Sequence, residues 1–270
     1  EIQRCDWSSD VCSSDLGDSG KVTAANADAP QLSGLPITIG EVITTADDAG
    51  GSDTITAGSG KDILVGGTND AGVSETIKAL GGDNIVLGDS GRIDFTRSER
   101  EAAAGADYSP ADIDLVESLS TEAAGGADTI TTGSGSDLII GGRYGDTITA
   151  GDGNNLVIGD SGRITASSAD GAQLAGIPMT FGLVETTAFG DGGVDTVTTL
   201  GGNDIILGGH EGDTITAGDG QNIVVGDDGK IDYTRGDRQP AEPGADLNPA
   251  DLDLVESLST EAAGGADTIT

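Results

Sequence analysis

Three stretches of the chain repeat a branched apolar residue every nine positions, each two residues behind an acidic or amide residue. In the middle stretch Ile130, Ile139, Ile148 and Val157 follow Asp128, Asp137, Asp146 and Asn155. The third sets Val197, Ile206, Ile215 and Val224 behind Asp195, Asp204, Asp213 and Asn222. The first sets Ile55, Leu64, Ile77 and Val86 behind Asp53, Asp62, Glu75 and Asn84, and an insertion around Thr68 to Gly72 stretches one interval to thirteen. A fourth opens at Asp267. Nine is neither a helical nor a simple strand period, so the unit is a turn plus a very short strand, stacked as one rung of a solenoid. Local wording agrees: glycines precede the acid, as in Thr132 to Asp137, and a β-prone triplet such as Leu-Ile-Ile or Thr-Ile-Thr follows it. Glycine supplies the tight turn and β-branched residues the half-buried strand. Each rung is expected to bury one side chain and expose one carboxylate at its turn.

A longer repeat lies above the rungs. Asp114 to Thr131, DLVESLSTEAAGGADTIT, recurs unchanged as Asp253 to Thr270, and QLSGLPITIG from Gln31 returns as QLAGIPMTFG from Gln173. Two kinds of connector therefore separate the nonapeptide blocks. Alternation at Ile93 and Phe95, at Ile231 and Tyr233, and at Met179, Phe181 and Leu183 predicts longer strands or hairpins that continue or decorate the solenoid. The stretches Ser98 to Pro110 and Gly236 to Pro249 read as mobile loops.

The resulting division sets a connector at 17–46, a nonapeptide block at 47–91, a connector at 92–122 and a block at 123–162. A connector at 163–189, a block at 190–229, a connector at 230–261 and the start of a further block at 262–270 complete it. Residues 1–16 stand apart. DWSSDVCSSDL, Asp6 to Leu16, resembles the translated reverse strand of a sequencing-library adaptor and is set aside from fold reasoning. With it go the only tryptophan, Trp7, and both cysteines, Cys5 and Cys12, leaving no disulfide framework and no thiol site.

Charge changes the picture. Forty-seven acidic residues against 12 basic ones give a formal charge of −35, which argues against nucleic-acid or anionic-membrane partners. No run of apolar residues is long enough for membrane insertion. Three Phe, three Tyr and 46 Gly make a thin core and a large entropy cost, a composition that by itself argues for disorder. The nine-residue phase argues for a fold, and bound metal is the natural source of the missing free energy.

The phased glycines and aspartates resemble the RTX family, the haemolysin-type calcium-binding nonapeptide repeats written G-G-x-G-x-D-x-U-x. The resemblance implies an all-β fold, a parallel β-roll or β-solenoid with calcium between turns, held by the aspartate and by carbonyls of glycine-rich turns. Rungs eighteen apart would share a side, pairing Asp128 with Asp146, Asp195 with Asp213 and Asp137 with Asn155. Asp204 with Asn222, Asp62 with Asn84, and Asp53 with Glu75 would be weaker counterparts. The departures are Ala123, Thr132 and Ala150 at the first glycine, and an Asn in the fourth rung of each block. Asn keeps an oxygen but loses the charge, so calcium there is expected to be weaker or absent. The competing reading is a calcium-free solenoid whose aspartates cap turns.

As a whole the chain reads as a fragment of a large, secreted or surface-attached bacterial protein, adhesin-like, folding on calcium outside the cell. Its implied partners are calcium, neighbouring repeat modules of the same longer chain and an unknown adhesion target. The alternative is the non-catalytic tail of a secreted lipase or protease. GDSG at Gly17, Gly88 and Gly159 matches protease nucleophile surroundings, but His210 is the only histidine and the third block has Gly226-Asp227-Asp228-Gly229 in that slot. A tight turn with Asp89, Asp160 or Asp227 as an additional calcium ligand fits better. His210 is expected in an exposed loop, and the acidic run Asp112, Asp114 and Glu117, with its copy Asp251, Asp253 and Glu256, on a solvated strand face.

Overall fold

The architecture comes from a computed structural model that describes residues 14–31, 35, 37–45, 50–68, 73–97, 109–120, 124–171, 173–177, 179–238, 246, 248–260 and 264–270. The chain is all-β, and its rungs build two parallel sheets that lie beside a third, antiparallel one. From the N-terminal side, β1 (Ser14–Leu16) enters the middle sheet, and β2 (Gly20–Ala24) and β3 (Ile39–Thr44) form a hairpin of the antiparallel sheet. The chain then alternates between outer and middle sheets through β4 (Thr54–Thr56), β5 (Ile63–Val65), β6 (Thr76–Lys78) and β7 (Ile85–Leu87).

The pattern repeats. Antiparallel β8 (Gly91–Asp94) and β9 (Leu115–Ser118) precede β10 (Thr129–Thr131), β11 (Leu138–Gly142), β12 (Thr147–Thr149) and β13 (Leu156–Asp160). Antiparallel β14 (Gly162–Ala166) and β15 (Phe181–Thr186) precede β16 (Thr196–Thr198), β17 (Ile205–Gly209), β18 (Thr214–Thr216) and β19 (Ile223–Asp227). Antiparallel β20 (Gly229–Asp232) and β21 (Leu254–Ser257) lead to β22 (Thr268–Ile269). Neighbours within each sheet are also next in chain order, seven strands in each parallel sheet and eight in the antiparallel one. Block boundaries do not interrupt the stack: Ile130 pairs with Ile77, Leu138 with Ile85 and Leu156 with Ile205.

Burial follows the triplets. Outer-sheet strands read Thr-Ile-Thr or close to it and bury only the central residue, so one threonine-lined face meets water. The inner middle-sheet strands carry apolar triplets buried on both faces, as a doubly covered parallel sheet requires, while the edge strand β19 is half-buried. Their central residues Leu64, Val86, Ile139, Val157 and Ile206 meet Ile55, Ile77, Ile130, Ile148 and Ile215 of the outer sheet. Their flanking residues, Ile63 and Val65 through Ile205 and Leu207, meet Ile93, Phe95, Phe181, Val184 and Ile231 of the antiparallel sheet. The expectation of one buried side chain per rung therefore holds only for the outer sheet. The middle sheet buries three because the connectors supply a third layer.

Other expectations change as well. Phe181 faces the core, but Val184 and not Leu183 continues that face, because the register shifts between Thr165 and Ala166 opposite Phe181. Asp114 is buried and accepts from the Arg97 amide at 2.7 Å, so that acidic run is not simply a solvated face. The solvated pairs of the connector sheet are Arg92 with Glu117 at 2.8 Å, Arg163 with Glu185 at 2.8 Å and Lys230 with Glu256 at 2.7 Å, each directly cross-strand. The loop expected from Gly236 begins inside a single helical turn, α1 (Arg235–Arg238). Most of the loop expected between Ser98 and Pro110 lies outside the described residues, as do residues 1–13 of the adaptor-like segment. Its last three residues form β1, where Leu16 stands in the slot of Leu87 and Ile158 and packs against the larger core.

Candidate metal centre

The twelve phased acidic and amide residues fall on two edges of the roll, set by which sheet each one enters. Asp53, Glu75, Asp128, Asp146, Asp195 and Asp213 immediately precede outer-sheet strands, as does Asp267. Asp62, Asn84, Asp137, Asn155, Asp204 and Asn222 immediately precede middle-sheet strands. Stacking then puts each residue under its counterpart in the next rung. On the first edge the amide N–H of Glu75 donates to Asp128 Oδ1 at 2.8 Å, that of Asp128 to Asp146 at 2.7 Å, and that of Asp146 to Asp195 at 2.7 Å. The series continues from Asp195 to Asp213 at 2.8 Å and from Asp213 to Asp267 at 3.0 Å. The second edge runs from Asp62 to Asn84 at 3.1 Å, Asn84 to Asp137 at 2.9 Å, Asp137 to Asn155 at 3.1 Å, Asn155 to Asp204 at 2.9 Å and Asp204 to Asn222 at 2.9 Å. Residues eighteen apart do face each other, and so do residues across the block boundaries.

The acids are not exposed. Asp128, Asp146 and Asp213 are 1 % exposed and Glu75 and Asp195 are 0 % exposed. Each aspartate spends Oδ1 on the amide below, while the Oδ2 atoms of Asp128, Asp146, Asp195 and Asp213, and both oxygens of Glu75, are buried without a hydrogen-bond donor. Burial, reinforced by neighbouring carboxylates, pushes Glu75 up to about 11 and Asp213 to about 7, and carries Asp146 and Asp195 well above the usual carboxylate range. Burial raises Asp128 to about 6, held down by the Glu75 amide.

The second edge differs in chemistry. Asn84 Nδ2 donates to the carbonyls of Gly81 at 3.3 Å and Gly82 at 2.8 Å, and to Asp137 Oδ1 at 2.8 Å. Asn155 Nδ2 likewise donates to Gly151 and Gly153 at 3.2 Å each and to Asp204 Oδ1 at 3.1 Å. A carboxylate thus alternates with an amide, and a proton donor stands between the turn carbonyls and the next aspartate. Burial raises Asp137 too, but among its neighbours only Asp83 adds a like charge.

The aspartates of the GDSG turns join the first edge. Asp89 Oδ1 accepts from the Gly126 amide at 3.0 Å and Oδ2 from the Arg143 amide at 2.6 Å. Asp160 Oδ1 accepts from the Gly193 amide at 3.0 Å and Oδ2 from that of His210. His210 is half-buried, not in an exposed loop, with Nδ1 4.0 Å from Asp228 Oδ2. Ser90 Oγ is engaged with Thr68 Oγ1 at 2.6 Å. One oxygen each from Glu75, Asp89 and Asp128 lies within 4.8 Å of the other two. Were all three ionised, like charges at that spacing would repel by roughly 3 kcal/mol per pair at an effective dielectric near 20. Three such pairs rival the whole stability of an ordinary domain. A buried, oxygen-only, charge-dense donor set of this kind suits a hard divalent cation.

The comparisons agree with that chemistry. The RTX calcium-binding nonapeptide repeat matches four times, at residues 45–70, 122–143, 131–163 and 201–230. No curated protein and no solved structure matches the chain.

Proposed function

From the premise that this chain carries RTX calcium-binding nonapeptide repeats in an all-β repeat fold, we propose that it is a calcium-responsive structural segment of a secreted or surface-attached bacterial protein. Calcium is held along one edge, by Asp53, Glu75, Asp128, Asp146, Asp195 and Asp213, with Asp267 continuing the series. The observation that carries this reading is the unbroken row of buried carboxylate oxygens with no donor on Glu75, Asp128, Asp146, Asp195 and Asp213, where no asparagine is interleaved. When bound, the cation supplies the positive charge that offsets repulsion within the ladder. The carboxylates orient their free oxygens toward the turn glycines; a Cβ on Gly159 would overlap Oδ2 of Asp195, and one on Gly88 would press on Asp128.

The opposite edge also buries a donor-free Oδ2 on Asp137 and Asp204, but its interleaved asparagines lower the charge and add hydrogen bonds. Asn84 and Asn155 put an amide NH2 against glycine carbonyls and an aspartate oxygen, so Asp62, Asn84, Asp137, Asn155, Asp204 and Asn222 contribute weak calcium sites at most. Continuous stacking through the connectors supports a stalk or array. In low cytosolic calcium the charged ladder keeps the chain loose, and extracellular calcium closes it, in the range of about 10⁻⁴ to 10⁻³ M usual for extracellular modules.

The test is a calcium titration of the chain followed by far-ultraviolet circular dichroism, with magnesium as control. A calcium-selective rise of β signal in that range is expected. A folded, calcium-indifferent spectrum would reduce the aspartates to turn caps.

A further inference from the structure

Resting on the reading of the acidic edge as the calcium edge, we infer that the connector aspartate Asp89 completes a three-carboxylate calcium site with Glu75 and Asp128, that Asp160 adds the corresponding carboxylate beside Asp195, and that both so tie the antiparallel sheet to the roll. Asp89 and Asp160 lie outside the nine-residue phase, Asp89 in the bend between β7 and β8 and Asp160 as the last residue of β13, just before β14. Each is buried at 2 % exposure. The two places share one bonding plan. Glu75 donates to Asp128 as Asp146 donates to Asp195, and Asp89 and Asp160 each accept from two backbone amides of the following turns.

Those amides fix where the carboxylates point without exhausting them, since each carboxylate oxygen carries two lone-pair sites. The independent sign of a ligand is Glu75, fully buried and aimed into the cluster with both oxygens unpartnered, together with the unpartnered Oδ2 of Asp128. At the second place Oδ2 of Asp146 and of Asp195 is likewise buried and unpartnered. The guanidinium of Arg143, whose backbone amide meets Asp89, is turned away to Asp191 at 2.9 Å. Glycine is required around the site, because a Cβ on Gly142 would overlap the Asp89 carboxylate, and Gly142 holds a φ of 125°. Oxygen-only ligation by several carboxylates favours calcium over the smaller and strictly octahedral magnesium.

The consequence is structural coupling. A cation at either place touches a residue two positions from an antiparallel strand, so its binding orders the third layer along with the two parallel sheets.

The experiment is isothermal titration of the chain with calcium, alongside hydrogen exchange with and without calcium, for wild type, Asp89→Asn, Asp160→Asn and the double variant. Asn keeps the acceptor for a turn amide but not the charge. Each single variant is expected to lose one bound calcium or bind it at least tenfold more weakly. The double variant is also expected to lose calcium-dependent protection at Gly91–Asp94 and Gly162–Ala166. Undiminished stoichiometry and affinity in folded variants overturn the inference while leaving the calcium edge intact; a wild type that binds no calcium removes both. If the variants do not fold, wild-type exchange decides. Calcium protection that reaches β8 and β14 supports the coupling, and protection confined to the two parallel sheets refutes it.

Discussion

Asn84 reaches Asp137 with both its donors: the backbone amide at 2.9 Å and Nδ2 at 2.8 Å meet the same Oδ1. One carboxylate oxygen thus takes two hydrogen bonds from one residue, and an edge that would otherwise repel itself closes. Hydrogen bonds to a charged acceptor contribute about 1.5–3 kcal/mol each. Asn84→Asp, or the double change with Asn155→Asp, is therefore expected to destabilise the calcium-free chain by roughly that amount. It should also add calcium binding on this edge, read as a higher stoichiometry. No gain in bound calcium would show that the amides do not set the difference between the edges.

The acidic edge gives the opposite sign. Asp146 is buried between Asp128 and Asp195, whose charges add to the cost of its own. Asp146→Asn should therefore ease folding in calcium-free buffer and weaken the calcium response, shifting the titration midpoint upward several-fold. Asp128→Ala should weaken calcium-induced folding in the same way. Asp170→Ala, at an exposed connector position, serves as the control, and equal effects at all three positions in one circular dichroism titration would remove the assignment.

Acid should replace calcium in part. Folding raises Asp128 to about 6, Asp213 to about 7 and Asp160 to about 8. For carboxyls raised on folding, the stabilisation is fully present below the unfolded value near 4 and is lost as pH climbs through the folded values. The calcium-free chain is expected to gain β signal as pH falls from about 8 to about 5, whereas calcium affinity should rise with pH as protons leave the ligands. A calcium-free signal that grows with pH contradicts this linkage.

Gly159 tests how closely the turns approach. A Cβ there would collide with Asp195 Oδ2 and the Gly208 carbonyl. Gly159→Ala should cost about 1–3 kcal/mol, the usual penalty of overpacking, seen as a lower midpoint in urea at saturating calcium. Gly190→Ala meets nothing within 4 Å and should be close to neutral.

Phe181 probes the third layer. It is fully buried, 6.1 Å from the Tyr233 ring. Phe181→Ala should cost about 3–5 kcal/mol if the antiparallel sheet folds with the roll. A second, separate unfolding transition in calorimetry would show instead that the layers melt independently.

Much of this was legible in the chain. The nine-residue phase carries the rungs and the pairing of Asp128 with Asp146, because stacking repeats the geometry of one turn. The difference between Thr-Ile-Thr and Leu-Ile-Ile tracks which sheet is covered on both faces, a signal that the expectation of one buried side chain per rung passes over. The third layer was harder to read: β8 and β9 pair only after most of the connector between them has been spanned, and alternation alone does not say what they cover. Carboxylate burial was misread because exposure was judged from a single turn, whereas Asp146 disappears only when the rungs of Asp128 and Asp195 stack on either side. The shift at Ala166 has no signal in the alternation of Met179, Phe181 and Leu183.

In all three sheets each strand's neighbour is also its nearest predecessor or successor within that sheet. Pulled from its two ends, such a stack has, among the described residues, no strand pair linking remote parts of the chain that must break first. Tension therefore peels strands from an end in many small, similar steps, and the extension records them as a fine sawtooth. On the proposed calcium edge, the height of those teeth becomes a function of the free calcium concentration.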